Sequence, residues 1–181
     1  MARLQIPKPS AFIEGFCKKA GVRLRNFKDP ADFEQEIVRF IEKHDIVFLA
    51  TSAKDLPRCT PLGYRNLGTT LYILSEGGGK FANLRKNKNV SWAIASRISG
   101  GKNLLWVQGL QCWGTAEVIS MKQEPERFQK LLHDLGIAQA LKKQRLKSLP
   151  PFNYRIIKLV PCKMKLLKLK DGINNVTWIR R

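Results

Sequence analysis

The sequence predicts a mainly β protein, an antiparallel barrel with helical additions. Three observations indicate this class. Short runs of apolar and β-branched residues follow one another between hairpin turns over most of the chain. The segment 110–119 alternates between two sets of side chains, as a strand with two different faces does. Helical spacing of apolar residues is confined to a few short stretches, and no internal repeat or linker divides the chain.

Two helices are expected before the first strand of the barrel. Ser10 is placed to cap a short helix that Gly21 ends. The pair Asp29-Pro30 opens a second helix, with acidic residues in its first turns. Its apolar residues recur at helical spacing: Phe33, Ile37, Phe40 and Ile41. We expect these helices to form an N-terminal arm over residues 1–34, followed by a barrel domain over residues 35–181.

The remaining elements follow from alternation and turn residues. Strands are expected at about 46–53, 58–66, 69–75, 90–95, 104–120, 153–160, 162–170 and 176–181. Helices are expected at about 80–86, 123–135 and 138–147. The doublet Leu166-Leu167 interrupts the alternation of the lysines around it, which predicts a β-bulge or bend.

The long strand at 104–120 has two chemically different faces. The face expected to pack on the core carries Leu110, Cys112, Gly114, Ala116 and Val118. The opposite face carries Gln111, Trp113, Thr115, Glu117 and Ile119. A large aromatic such as Trp113 is stabilised by being covered, so we expect this second face to meet a partner or a ligand.

The charge of the chain is strongly positive. The formal net charge is +19, and residues 141–181 carry twelve Lys or Arg against one acid, Asp171. Such a field attracts anions. The basic residues are spread over several elements and are not interleaved with aromatics, so we expect weak, sequence-blind nucleic-acid binding and no specific nucleic-acid partner.

The cysteines and histidines do not indicate a metal site or a catalytic triad. The four cysteines form no CxxC pair, and we expect buried thiols rather than bridges or metal ligands. His44 and His133 lie far apart near the ends of predicted helices, where a cation favours the helix dipole. No catalytic residue is identified, so an enzyme built on this chain needs a cofactor. With no secretory signal and no long apolar run, we expect a cytoplasmic protein without membrane partners.

A glycine-rich turn at Gly77–Lys80 precedes the short helix at 80–86. Glycines let the backbone approach a ligand closely, and a helix N-terminus offers N–H groups to an anion. Lys80 adds a full positive charge. The turn is not a nucleotide-triphosphate loop, because Leu74 and Phe81 stand where that motif needs glycine and a hydroxyl. A triple glycine by itself more often indicates a plain flexible turn, and a phosphate site is the alternative interpretation of this pattern.

The segment Arg58–Leu62 predicts a strand at the edge of the sheet. Arg58 and Thr60 share one face at strand spacing. Pro61 removes a ladder donor and so marks an edge or a break in pairing. A flat heteroaromatic ring can exchange hydrogen bonds with the unpaired backbone groups of such an edge. A surface arginine beside a hairpin is the alternative.

Taken in order, these motifs resemble the pyridoxamine 5′-phosphate oxidase-like flavin-binding split barrels over residues 35–170. The matching segments are Phe48–Thr51, Asp55–Arg58, Thr60-Pro61, Leu71–Ser75, Lys80, Asn83-Leu84, Asn87–Ser91, Gly114–Glu117, Tyr154–Ile156 and Leu159–Pro161. The resemblance implies a six-stranded split barrel, a homodimer, and FMN in a groove at the dimer interface. The C-terminus lacks the Arg-x-His arrangement that binds substrate in the oxidases themselves, so the implied substrate is another small molecule.

The resemblance also implies a set of cofactor-binding residues. Lys80 would hold the FMN phosphate, with Arg58 and Ser75 beside it. The ring would lie along the strand that contains Arg58, Cys59, Thr60, Pro61 and Leu62. Gln111 and Trp113 would come from the second subunit.

Three functions remain open at this point. The first is an FMN-dependent oxidoreductase that acts on an unidentified small substrate. The second is a split barrel that uses a deazaflavin or haem. The third is a non-enzymatic basic protein that binds a flavin or a polyanion.

Overall fold

The computed structural model describes residues 1–96, 106–143 and 152–180. Its strands are β1 (Ala2–Gln5), β2 (Ile46–Ala53), β3 (Leu56–Gly63), β4 (Arg65–Leu67), β5 (Thr70–Ser75), β6 (Asn89–Ala95), β7 (Gln108–Ser120), β8 (Arg155–Lys168) and β9 (Ile173–Arg180). Its helices are α1 (Ala11–Lys19), α2 (Pro30–Glu42), α3 (Gly79–Lys86), α4 (Pro125–Asp134) and α5 (Ile137–Lys143).

The strands form one nine-stranded antiparallel sheet, which confirms the predicted mainly β class with helical additions. The main order is β1-β9-β8-β7-β6-β2-β3, and β5 pairs with both β4 and β8. The long strand β8 joins the parts of this sheet. It pairs along its length with β7, while its first residues also pair with β5 and its last residues with β9. Among the described strands β3 pairs only with β2, so it lies at an edge as Pro61 predicts.

The main core lies on one face of this sheet, and α2 belongs to it. The apolar stripe predicted for α2 is buried: Phe33, Ile37, Phe40 and Ile41. These side chains pack with the inward residues of the strands, including Leu49, Trp92 and Leu110. The boundary expected between residues 34 and 35 falls inside this helix.

A β-bulge lies where β7 and β8 cross the middle of the sheet. Trp113 pairs with Lys163 and Gly114 pairs with Pro161, so Cys162 is the extra residue. A Cβ at Gly114 would overlap the carbonyl oxygen of Val160. The bulge therefore requires glycine at this position.

A second, smaller core lies beneath α4. Ile119 is fully buried there with Phe128 and Ile156. The assignment of Ile119 to an open face was therefore wrong. The alternation continues, but α4 covers that face at the end of β7 and leaves it exposed at Gln111, Trp113 and Thr115.

Several expected elements differ from the structure. The strands expected at 153–160 and 162–170 are one continuous strand, β8, because the bulge accommodates Pro161. The register of β8 against β9 shifts between Leu166 and Lys168, which confirms the bulge expected at Leu166-Leu167. The sequence analysis missed β1. The helix expected at 138–147 is described only to Lys143, and the start of the strand expected at 104–120 lies outside the described residues.

Two of the cysteines were wrongly expected to be buried. Cys17 and Cys112 are buried, whereas Cys59 and Cys162 are exposed. Cys59 lies on the edge strand and Cys162 in the bulge, so neither has a covering element. Within the described parts of the chain, no helix combines the length and apolar character needed to cross a bilayer.

Candidate functional site

The helix α3 begins at a glycine turn whose backbone is open to a ligand. Gly78 has φ 105°, a conformation that side-chain-bearing residues rarely adopt. It precedes Gly79 at the start of α3 and provides no side-chain cap. The first N–H groups of α3 therefore lack a capping side chain, and the helix dipole favours an anion there.

Lys80 lies at this helix start with its charge largely removed from water. Its side chain is only 6% exposed. The ammonium group donates a hydrogen bond to the carbonyl oxygen of Gly77. Burial and the nearby guanidinium of Arg58 lower the pKa of Lys80, and the carboxylate of Glu76 opposes this only in part. Lys80 makes no ion pair with any acidic group in the described segments.

Arg58 comes to the same turn from the edge strand β3. A Cβ at Gly79 would lie 3.0 Å from Arg58 Nη1, so the guanidinium lies directly against the turn. Arg58 pairs across the sheet with Thr51 of β2. Asn83 of α3 donates a hydrogen bond to Thr51 Oγ1 over 3.1 Å. This bond holds α3 against β2 and so fixes the turn beside Arg58.

A third cation, Arg155, was given no role by the sequence analysis. Arg155 Cζ lies 4.7 Å from the ring centroid of Phe81, and Lys80 Nζ lies 5.0 Å from the same centroid. Arg155 also pairs with Ser75 at the end of β5, which puts both side chains on one face of the sheet. In the sequence, Arg155 was noted only as part of the matching segment Tyr154–Ile156. Its contact is with a turn far away along the chain, which residue spacing does not indicate.

Together these groups form a cationic cradle, which we define as Arg58, Gly78, Gly79, Lys80 and Arg155. Glu76 is the acidic residue beside it. Burial raises the pKa of Tyr154, and the charge of Glu76 and a hydrogen bond to it add to this effect. This cradle can hold a group with two negative charges and several acceptor oxygens, which is the chemistry of a phosphate monoester.

The other predicted site residues divide between the two faces of β3. Thr60 pairs with Leu49, and Leu62 packs against the main core, so both lie on the cradle face with Arg58. Cys59 and Pro61 alternate with them and point to the opposite face. One face of β3 therefore borders the cradle. Its other face belongs to the opposite side of the sheet, which we call the outer face.

The outer face continues across the sheet to Gln111 and Trp113. One row of paired residues runs Pro61, Phe48, Ala93, Gln111 and Lys165. The next row runs Cys59, Ala50, Ser91, Trp113 and Lys163. Phe48 is 43% exposed and Trp113 is 37% exposed, so a large apolar area faces outward. Within one subunit, Gln111 and Trp113 therefore lie on the opposite face of the sheet from Arg58 and Lys80.

The two histidines lie outside this cradle. His44 is half-buried, with Nδ1 2.7 Å from the carbonyl oxygen of Phe40 and its ring stacked on Phe40. It precedes β2, whereas Thr51 beside Arg58 lies seven residues further on, roughly 23 Å along an extended strand. The side chain of His133 is 76% exposed beside Asp134. Across the described residues, no group of His, Cys, Asp and Glu could hold a metal ion.

Solved structures of known proteins share this fold at low sequence identity. ChuZ from Campylobacter jejuni has a TM-score of 0.65 and 19% identity, over 94% of this chain and 67% of its own. A candidate pyridoxamine 5′-phosphate oxidase from Listeria innocua has a TM-score of 0.57 and 22% identity, over 75% and 98%. HutZ, a haem storage protein from Vibrio cholerae, has a TM-score of 0.55 and 20% identity, over 71% and 89%. These likenesses show the fold alone.

Sequence comparison identifies the family. No curated protein matches the chain significantly. The family model described as Pyridoxamine 5′-phosphate oxidase matches residues 33–167, which include most of α2 and every strand from β2 to β7. The matched range contains all of the cradle and most of β8, and so the chain belongs to the pyridoxamine 5′-phosphate oxidase family of split-barrel proteins.

Proposed function

We propose that this protein is an FMN-dependent oxidoreductase that acts as a homodimer on a small substrate other than pyridoxamine phosphate. The observation that carries the proposal is Lys80, a buried ammonium at a glycine-led helix start, with the guanidinium of Arg58 nearby and no ion pair to an acidic group in the described segments. A buried charge without a counter-ion is costly. A phosphate dianion offsets that cost, which makes the cradle fit the phosphate end of FMN.

The edge strand β3 suits the flat ring of the same cofactor. Its outer backbone groups have no neighbouring strand among the described residues, and it begins at the cradle with Arg58. In this proposal the phosphate is held by the cradle, while the ring is oriented by backbone N–H and C=O groups from Arg58 to Leu62. The bound flavin would supply two-electron transfer to the substrate. The chain itself would position the ring and exclude water from it.

A homodimer is part of the proposal because the outer face is apolar and uncovered. Ile46, Phe48 and Trp113 are each more than a third exposed on this face. Covering such an area is favourable, at roughly 25 cal/mol per Å² of apolar surface. A second copy that covers this face would also bring its Gln111 and Trp113 to the edge of the first copy's β3. We expect Trp113→Arg to give a monomer that has also lost the flavin, which sedimentation and absorbance would measure.

The cofactor is tested by absorbance and by titration. An absorbance spectrum of the purified protein separates a flavin near ~450 nm from a deazaflavin near ~420 nm and from the Soret band of a haem. Titration with FMN should then give an affinity about 10- to 150-fold weaker for Lys80→Ala, the loss of one buried charge-assisted contact of roughly 1.5–3 kcal/mol. Lys86→Ala removes an exposed lysine from the other end of α3 and should bind FMN within about twofold of wild type. Equal affinities for the Lys80 variant and wild type would reject the cradle as the phosphate site.

Haem is the second candidate, supported by the likeness to the haem storage protein HutZ. The residue that supports it in this chain is His44. Its Nδ1 lies against the Phe40 carbonyl, which leaves Nε2 as the atom that could bind the iron. In this case His44→Ala would shift or abolish a Soret band on haem addition, while His133→Ala would not. A Soret band unchanged by His44→Ala would remove this assignment.

A further inference from the structure

A second basic region lies on the opposite side of the sheet from the cradle. It is a cleft of about 700 Å³ between the N-terminal segment and the outer face of β8 and β9. Its polar lining residues are Gln5, Lys8, Ser10, Lys163, Lys165, Asn174, Asn175 and Thr177. Lys163 and Lys165 pair with Trp113 and Gln111, so the cleft continues the outer face beyond its apolar half.

Among the described residues, no acidic side chain lines this cleft or pairs with its lysines. Lys163 and Lys165 share one face of β8, roughly 6–7 Å apart at strand spacing. Other lysines of the same strand do have partners, since Lys158 pairs with Glu117 and Lys168 with Asp171. Two neighbouring like charges repel each other, and an anion between them removes that repulsion. Among the described residues, the positive charges of Lys163 and Lys165 are therefore unpaired, whereas Lys158 and Lys168 on the same strand are paired with acidic residues.

The neighbouring strand β9 supplies neutral donors from a constrained backbone. Asn175 has φ 51°, a left-handed conformation that asparagine tolerates better than most residues. Its side-chain amide donates to Asn174 Oδ1 over 3.4 Å, which leaves the Asn174 amide nitrogen as a donor. Thr177 is only 7% exposed, and its hydroxyl donates to the Asn175 carbonyl oxygen. These hydrogen bonds therefore hold Asn174 and Asn175 in place beside the lysines of the cleft.

We propose that this cleft binds a small organic anion that carries two or more phosphate or carboxylate groups. The volume matches a small-molecule site, and the lining provides three ammonium groups with side-chain amides beside them. Lys163 Nζ lies 4.9 Å from the ring centroid of Trp113, so an anion held by Lys163 lies at the border of the apolar outer face. No residue of the cradle lines the cleft, so anion binding there does not require the flavin. It does require that a second copy in the proposed homodimer covers only the apolar half of the outer face and leaves Lys163 and Lys165 accessible.

Calorimetric titration with pyrophosphate and with citrate tests the site. The measurement uses the full chain carrying Lys80→Ala, so that the cradle does not compete, at a constant ionic strength of about 0.15 M. We expect saturable binding of at least one of the two probes, and the preferred probe identifies the group as phosphate or carboxylate. Adding K163Q and K165Q should weaken it at least about tenfold, because two charge-assisted contacts are lost.

The matched control adds K86Q and K88Q, two exposed lysines outside the cleft with the same change in net charge. It should bind within about twofold of its parent. Equal losses in the two double variants would assign the binding to the general field of the protein and overturn the proposal. Absence of saturable binding would also overturn it. Lys8→Gln, in a segment that belongs to no strand or helix, should by itself weaken binding about two- to fivefold and provides a variant that does not alter the sheet.

Discussion

The cradle and the cleft are both cationic, but they differ in what surrounds the charges. In the cradle one lysine is almost fully buried, with a hydrogen bond to a carbonyl oxygen and the guanidinium of Arg58 nearby. In the cleft three lysines line an open cavity, and none of the described residues that line it carries a carboxylate. A buried charge is costly until its ligand binds, whereas an exposed one is screened by water and salt. The comparison teaches that the +19 net charge does not locate a site, and that burial separates a phosphate cradle from a general anion cleft.

The largest expected effect comes from the bulge between β7 and β8, next to Lys163 of the cleft. Gly114→Ala should lower the free energy of unfolding by about 3 kcal/mol or more, because its Cβ would overlap the Val160 backbone. Gly109→Ala on the same strand is the control, since its Cβ would make only an ordinary 3.7 Å contact. Chemical denaturation measures both. If the two variants lost similar stability, the close approach at Gly114 would not be what requires glycine.

The second prediction, of intermediate size, is that a change in the cradle lowers the affinity for FMN and leaves the stability of the protein nearly unchanged. Gly79→Ala places a methyl group 3.0 Å from Arg58 Nη1, at the far end of a flexible side chain. The guanidinium can move aside, so the melting temperature should change little. The affinity for FMN should fall about three- to tenfold, the value of one weakened hydrogen bond. Added to the Lys80→Ala protein, in which the cradle does not compete, Gly79→Ala should leave pyrophosphate binding to the cleft unchanged. A loss at both sites would show that the two regions are coupled.

The smallest expected effect is on the stability of the unliganded protein. Lys80→Met replaces a buried cation with an apolar chain of similar length, so the unliganded protein should become more stable at neutral pH. A gain of about 1 kcal/mol corresponds to a melting temperature about 2–4 °C higher. Lys163→Met, in the open cleft, should change the melting temperature less. A Lys80→Met protein that melts lower than wild type would contradict the cost assigned to burial of this lysine.

The pH dependence of that gain follows from the lowered pKa of Lys80. Below its folded-state pKa the lysine is charged in both the folded and unfolded states, and the cost of burial is fully present. Between the lowered folded pKa and the ordinary value of 10.5, the unfolded state binds more protons, so wild-type stability rises with pH. The advantage of Lys80→Met should therefore shrink as the pH rises through that window. An advantage that stays constant through it would show that the methionine acts through packing.

Much of the cradle could be predicted because it is local in sequence. The glycine turn, the helix start and Lys80 lie within a few residues, and their chemistry follows from backbone conformation. Arg155 could not be predicted in the same way, because it reaches Phe81 only through the pairing of β8 with β5. The cleft is still less local, since it joins Lys8 to Lys163 through the strand β1, which the sequence analysis missed.

The sequence by itself determined the mainly β class, the two faces of β7 and the amphipathic α2, because alternation and helical spacing are properties of neighbouring residues. Only the tertiary structure decided which faces are covered. Ile119 is buried because α4 lies over it, while Trp113 on the same face is open. Only the pairing of β7 with β8 shows why Gly114 must be glycine. The physical reason is that burial and close approach depend on which distant segment packs there, and periodicity within one segment carries no information about its neighbour.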